Sequence, residues 1–272
     1  MHSNIPLGKE VSYISTYTPD LLFPVPRKLN REVLGFCDEL PFTGIDIWNA
    51  YEISWLESGG KPRVAIAEII VSADSVNIIE SKSLKLYLNS FNQTHFSSPA
   101  EVARVIRDDL EKVAQGEVQI TFTLPDAFQN YRFSELEGLC LDDLEIETDC
   151  YTINATTLVC EDTRIQECVY SNLLRSNCPV TGQPDWGTVI VHYTGKAISH
   201  KGLLRYIISF REHTGFHENC VEQIFADLME HCAPDNLSVY ARFTRRGGLD
   251  INPFRATKGA MSSPANLRTA RQ

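Results

Sequence analysis

The segment Asn177-Cys178-Pro179-Val180-Thr181-Gly182-Gln183-Pro184-Asp185-Trp186-Gly187 carries a thiol and, seven positions later, a carboxylate. Its two prolines and two glycines mark a loop between strands, so Cys178 sits where a side chain can be presented. Most of the other cysteines fall in apolar or strand-like stretches, where a free cysteine acts as a small hydrophobe. A thiolate is a strong nucleophile when a base or a lowered pKa supplies it; otherwise Cys178 is an ordinary loop thiol. A second group, His217-Glu218-Asn219-Cys220, opens a helical stretch. Glu218 there would complement the helix dipole in a solvated first turn. His217 and Cys220 also share a helix face, and with Cys178 they would form a metal site, although no standard ligand spacing is present. A third reading is a hydrolase triad of Cys178, His217 and Asp185, because triads assemble in space and not in sequence.

Glu80-Ser81-Lys82-Ser83-Leu84-Lys85-Leu86-Tyr87 reads as a helix start capped by Ser81 or Ser83, with two solvated lysines. Arg242, Arg245, Arg246, Gly247 and Gly248 follow a strand, with Arg255 and Lys258 beyond. Such a cluster is usually a solvated edge. In an acidic chain it is also a candidate phosphate site, where glycines let backbone N–H groups approach an anion. No GxGxxG or Walker loop is present, so a nucleotide would not be held by a Rossmann unit or a P-loop.

These groups need a scaffold. Residues 1–40 hold Pro19, Pro24 and Pro26 with little periodicity and read as an irregular arm. Residues 45–56 and 63–72, β-branched and aromatic, flank a Gly-Gly-Lys-Pro turn and predict an antiparallel hairpin. Helices are expected over 81–91 and from Pro99 after Ser98 as cap, then a strand over 119–124. The order returns with strands at 165–175 and 187–193, helices at 200–213 and 217–232, and a strand at 237–243. Sliding the chain by 119 superposes 81–110 on 200–229 and pairs Lys82/Lys201, Leu84/Leu203, Tyr87/Tyr206, Ser90/Ser209, Phe91/Phe210, Val102/Val221 and Asp108/Asp227 as identities. That shift equates Glu80 with Ser199 and predicts an apolar face of Val221, Ile224, Phe225, Met229 and Cys232. A duplicated strand–strand–helix–helix–strand unit implies an α+β fold: antiparallel sheets with helices packed on one face.

Composition narrows the class. The chain has 272 residues, 43% hydrophobic and 22% charged, which excludes a disordered or fibrous protein. Its net charge of −10 argues against a nucleic-acid coat or an anionic membrane as partner. No apolar run reaches a membrane span, and the first residues carry no export signal, so the expectation is a soluble cytoplasmic protein. The eight cysteines include no CxxC pair and read as reduced thiols.

Together these stretches resemble the long form of the NADPH-dependent 7-cyano-7-deazaguanine reductases, the QueF-type nitrile reductases of queuosine (tRNA modification) biosynthesis. Glu80 to Tyr87 meets the family signature at every position, and the Cys178–Asp185 loop and the pair His217-Glu218 also fit. The resemblance implies a duplicated tunnelling fold: a first unit over 41–135, a second over 136–258 that carries Cys178, and a flexible tail over 259–272. It implies Cys178 as nucleophile and Asp185 as proton donor, with Ile79, Glu80, Ser81, His217 and Glu218 at the substrate. Ser81, Lys82, Arg246 and Gly247 would hold NADPH, with no metal in the chemistry. The implied partners are the small 7-deazaguanine substrate and a second copy of the chain in a homodimer, with neither nucleic acid nor membrane bound. A cysteine-dependent nitrile hydrolase and a non-catalytic purine-binding module remain the alternatives.

Overall fold

Alternate residues of two long strands, Ile53 and Trp55 on one and Ala65, Ala67, Ile69 and Val71 on the next, are buried on a single sheet face. The computed structural model in which this is seen describes residues 13–36, 39–259 and 264–272. In chain order the elements are β1 (Pro24–Pro26), α1 (Lys28–Val33), β2 (Phe42–Leu56), β3 (Pro62–Ser72), β4 (Asn77–Ile79), α2 (Ser81–Asn89), α3 (Pro99–Ala114) and β5 (Val118–Thr123). They continue as β6 (Leu139–Cys140), β7 (Cys160–Asn177), β8 (Pro184–Ile198), α4 (His200–Ser209), α5 (His217–Cys232), β9 (Asn236–Phe243) and β10 (Leu249–Thr257).

The chain forms two compact units that are not contiguous in sequence. The first takes the described residues up to Val33, with Asp46–Arg132 and Arg245–Ile251; the second takes the described residues of Leu34–Ile45, Phe133–Thr244 and Asn252–Gln272. In the first unit the strand order is β5-β3-β2, and β3 pairs antiparallel with β5 from Ile66↔Thr123 to Val71↔Val118. The core between this sheet and its helices includes Trp48, Trp55, Leu84, Tyr87, Phe91, Val102, Ile106 and Leu110. Burying each such side chain contributes about 1.5–3 kcal/mol. Residues 13–33 are tied to this core: Tyr17 meets Phe91 edge-on at 5.2 Å, and buried Arg27 donates to Asp46 at 2.5 Å. What the sequence presents as an irregular arm is therefore part of the unit as far as Val33.

In the second unit the order is β10-β9-β8-β7-β6, antiparallel except for β6 beside β7. The strand–strand–helix–helix–strand order recurs as expected. The tail differs from its expectation over 264–272. Arg242 donates to Asn266 at 2.5 Å, Arg271 donates to the Asn172 carbonyl at 2.7 Å, and Gln272 is buried.

The structure revises the register of the duplication. α2 and α4 start 119 residues apart, but α3 and α5 start at Pro99 and His217, only 118 apart. With that offset the buried face Val102, Ile106, Leu110 and Ala114 falls on Cys220, Ile224, Leu228 and Cys232. It also equates two bonds, Tyr87 Oη to half-buried Asp109 and Tyr206 Oη to buried Asp227, each 2.6 Å. The identities Val102/Val221 and Asp108/Asp227 are thus coincidental, and the second unit has one residue fewer between its helix starts than the first. Both first helices also end early, in short 3-10 turns. Ser90 and Ser209 explain this, because each hydroxyl donates at 2.6 Å to the carbonyl three residues back and competes with the helix.

Candidate active site

In the second unit β7 and β8 run past the expected loop. Ser176 lies opposite Asp185 and Asn177 opposite Pro184, so Asp185 belongs to a strand and not to the turn. Only residues 178–183 reverse the chain. The Cys178 N–H donates to Gln183 O at 2.9 Å, and the Gly182 N–H donates to Cys178 O at 3.0 Å. Gly182 has φ +67, a left-handed conformation that favours glycine. On the outer side, Asn177 donates to His213 O at 2.7 Å and accepts from the Gly215 N–H at 3.2 Å. The residue before the thiol is therefore clamped from both edges. Cys178 is 8% exposed, a nearly buried thiol at a rigid strand end.

α5 delivers His217 and Glu218 from its first turn. His217 Nε2 lies 3.5 Å from Asp185 Oδ2, and both side chains are almost wholly shielded. The imidazole stacks on Phe243 with centroids 3.7 Å apart and planes 8° from parallel. Gly187 makes room for that ring: it pairs with Phe243 across β8 and β9, and a Cβ there would press on Phe243 at 3.2 Å. Strand register thus sets the orientation of the histidine. Glu218 is 1% exposed, which corrects the expectation of a solvated helix start. A carboxylate is costly to bury, and the positive end of α5 offsets part of that cost. Cys220 is fully buried, and burial, with the charges of Asp185 and Glu218 adding to it, pushes its thiol up to about 12. The Cys178–His217–Cys220 metal alternative is not assembled: among the described residues no three His, Cys, Asp or Glu are placed to hold a metal ion.

In the first unit, Glu80 is itself the cap of α2. Its carboxylate accepts from the N–H groups of Lys82 at 2.9 Å and Ser83 at 2.7 Å, so neither Ser81 nor Ser83 caps the helix. Ser199, its partner in the duplication, does the same work at α4 by accepting from the Gly202 N–H. Glu80 is 1% exposed, and burial raises its pKa against the lowering effect of those two N–H groups. A carboxylate accepts about four hydrogen bonds, so two lone pairs are left for a ligand. The Ile79 side chain belongs to the core.

Two family profiles match the chain. One described as "Nitrile reductase, 7-cyano-7-deazaguanine-reductase N-term" matches residues 13–122, and one described as "QueF-like protein" matches residues 184–261. A curated protein of Desulfotalea psychrophila named NADPH-dependent 7-cyano-7-deazaguanine reductase is 57% identical over 100% of this chain and 99% of its own. Relatives of the same name from Paraburkholderia xenovorans and Bordetella avium are each 54% identical, over 98% of both chains and 99% of both chains respectively. The chain belongs to the 7-cyano-7-deazaguanine reductase family.

Glu80, Ser81 and Lys82 fall within the first matched segment, and Asp185, His217, Glu218, Arg246 and Gly247 within the second. Cys178 lies between the two segments but within the full-length relatives. The curated relatives are named for NADPH dependence, and the segments that the sequence assigns to a dinucleotide differ in what they leave open. Glu80 takes the Lys82 and Ser83 amides of α2, which leaves the side chains there to meet a phosphate. The turn after β9 fits better. Gly247 and Gly248 have φ +59 and +80, and a Cβ on Gly247 would meet nothing within 4 Å, so its backbone is open to an anion. Arg245 is exposed and Arg246 half-buried. The wider basic cluster does not survive. Arg242 is buried against Tyr240 and Asn266, Arg255 is fully buried on Glu222, and Lys258 pairs with Glu39. Sequence reasoning missed Gly187 and Phe243, whose parts depend on cross-strand register.

Among the described residues no helix is long and apolar enough to cross a membrane. The seven described cysteines are unbridged, and Cys37 lies outside the described residues.

Proposed function

We propose that this chain reduces the nitrile of 7-cyano-7-deazaguanine to the 7-aminomethyl group, through a covalent thioimide on Cys178. The observation that carries the reading is the near-buried thiol of Cys178 on the same rigid hairpin as Asp185, with His217 on that carboxylate. The nitrile carbon is electrophilic, and the Cys178 thiolate adds to it while Asp185 protonates the nitrogen as charge develops there. NADPH, when bound, supplies two hydrides. Cys178 departs as thiolate after the first reduction and leaves an imine, which the second converts to the amine. Two protons complete the balance, delivered through the Asp185–His217 pair. Glu218, and Glu80 by the same resemblance, accept hydrogen bonds from the N–H groups of the guanine-like edge. Ser81, Lys82, Arg246 and Gly247 hold the dinucleotide; Ile79, its side chain committed to the core, can offer the substrate only its main chain. Cytoplasmic residence and a homodimer complete the reading.

The direct test is loss of NADPH absorbance on mixing protein, NADPH and the nitrile, with two equivalents consumed per amine formed. A hydrolase would release ammonia and leave NADPH untouched, and a binding module would do neither.

The capping geometry provides a variant that separates the two tasks of Glu80. Glu80→Ser should keep the cap, as Ser199 does at α4, and so leave Tm close to wild type. It should still weaken binding of the base by roughly 2–4 kcal/mol, because buried N–H donors of the ligand lose a charged acceptor. Glu80→Leu should lose the cap as well, costing about 0.5–2 kcal/mol of stability. Equal affinity for the base in wild type and Glu80→Ser, by calorimetry, would remove Glu80 from the substrate site.

A further inference from the structure

The Arg245–Leu249 turn of the first unit is mounted on β2 by a set of contacts that a merely solvated edge does not need. Tyr51 N–H donates to Gly248 O at 2.9 Å. Asp250 is 1% exposed, and its two oxygens accept from Asn49 Nδ2 at 2.7 Å and from Tyr51 Oη at 2.6 Å. The Tyr51 ring is therefore fixed at both its backbone and its hydroxyl. Arg245 lies over that ring, with its guanidinium carbon 5.2 Å from the centroid. Beside it the Glu52 carboxyl rests against Gly248, where a Cβ would meet Glu52 Cδ at 2.5 Å. Glu52 is in turn paired with Lys85, which offsets its negative charge.

We propose that Arg245, laid on Tyr51, reads the 2′-phosphate of NADPH and so sets the preference for NADPH over NADH. The inference rests on the reading of this turn as the dinucleotide site. An arginine stacked on an aromatic face uses none of its N–H donors, so its edge remains available while its orientation is restricted. A phosphomonoester carries about −1.5 to −2 charge at neutral pH and three acceptor oxygens, the group a guanidinium fork matches best. Gly247 serves a different need, since its bare backbone suits close approach of the pyrophosphate. Arg246 is committed through its backbone, donating to Leu249 O at 2.8 Å and accepting from the Leu249 N–H at 3.1 Å. Arg245 is thus the exposed cation of the turn with a defined orientation.

Adenosine 2′,5′-bisphosphate and 5′-AMP differ only in the 2′-phosphate, and their binding to the full chain by calorimetry isolates the contact. Wild type should bind the bisphosphate more tightly. Arg245→Ala should weaken the bisphosphate by about 10–100-fold and leave 5′-AMP unchanged, and kcat/KM should fall by a similar factor for NADPH but not for NADH. Arg245→Lys should recover part of the loss, keeping charge without the fork, and the remaining advantage should shrink as salt is raised. Equal affinity of wild type for the two ligands, no binding of either, or an equal loss of both in Arg245→Ala would overturn the proposal. The covalent adduct at Cys178, formed with nitrile alone, should appear at a normal rate in Arg245→Ala, which shows that the variant is folded. Failure of wild type to consume NADPH would instead count against the reductase reading, and the bisphosphate comparison reports on Arg245 independently of it.

Discussion

Replacing Cys178 by alanine should abolish both turnover and the covalent adduct. Wild type incubated with nitrile but without NADPH should gain one substrate mass, and the variant should gain none. The competing thiols make this a sharp test. Cys220 and Cys232 are buried, and burial pushes both thiols up, away from the thiolate form at neutral pH. Cys178 sits instead at the end of β7, where Asn177 just before it donates to His213 O and accepts from the Gly215 N–H. Cys232→Ala should keep full activity and adduct, because Cys232 is buried at the far end of α5 from His217 and touches none of the proposed chemistry. An adduct that persists in Cys178→Ala would end the assignment of this thiol as nucleophile.

That thiol was legible because proline and glycine punctuate its loop, and the repeat was legible because helix periodicity survives divergence. The register of the repeat was less so. An ungapped shift scores identities, and Val102/Val221 and Asp108/Asp227 happened to reward the wrong offset. Burial and the paired Tyr–Asp bonds recover the right one, and neither is visible in one dimension. β10 was missed for a related reason. Its Asp250, Asn252, Pro253 and Arg255 read as a loop by strand propensity, since Pro removes a ladder donor and charges seldom line a buried strand. In the fold the polar residues are matched one by one: Asp250 by Asn49 and Tyr51, Asn252 by the Phe243 N–H, and Arg255 by Glu222. Partners 9 to 201 residues away decide that the strand is stable, so local pattern could not. Glu80 and Glu218 show the opposite limit. Sequence placed both at helix starts, where acids are normally solvated, and only the fold shows that both are buried.

Asp185→Asn should leave binding of the base largely intact and slow reduction by about 10²–10⁴-fold, the usual cost of losing a general acid. The substitution is nearly isosteric, and the strand pairing of residue 185 with Ser176 does not depend on its side chain. What changes is the proton inventory. Asp185 faces His217 at 3.5 Å, and the imidazole is held by its stack on Phe243 and cannot swing freely to take over. An amide offers that histidine no negative charge, and it has no acidic proton for the nitrogen of the adduct. Kinetics should therefore show kcat falling with little change in KM, the pattern of an interaction made only in the transition state. Mass spectra should show the adduct forming slowly and persisting once formed, since its onward reduction also needs a proton. Near-normal turnover in Asp185→Asn would move the donor role to His217. His217→Asn would then have to show the loss that Asp185→Asn did not, and a mild effect in both variants would leave the proposed route for the protons without a donor.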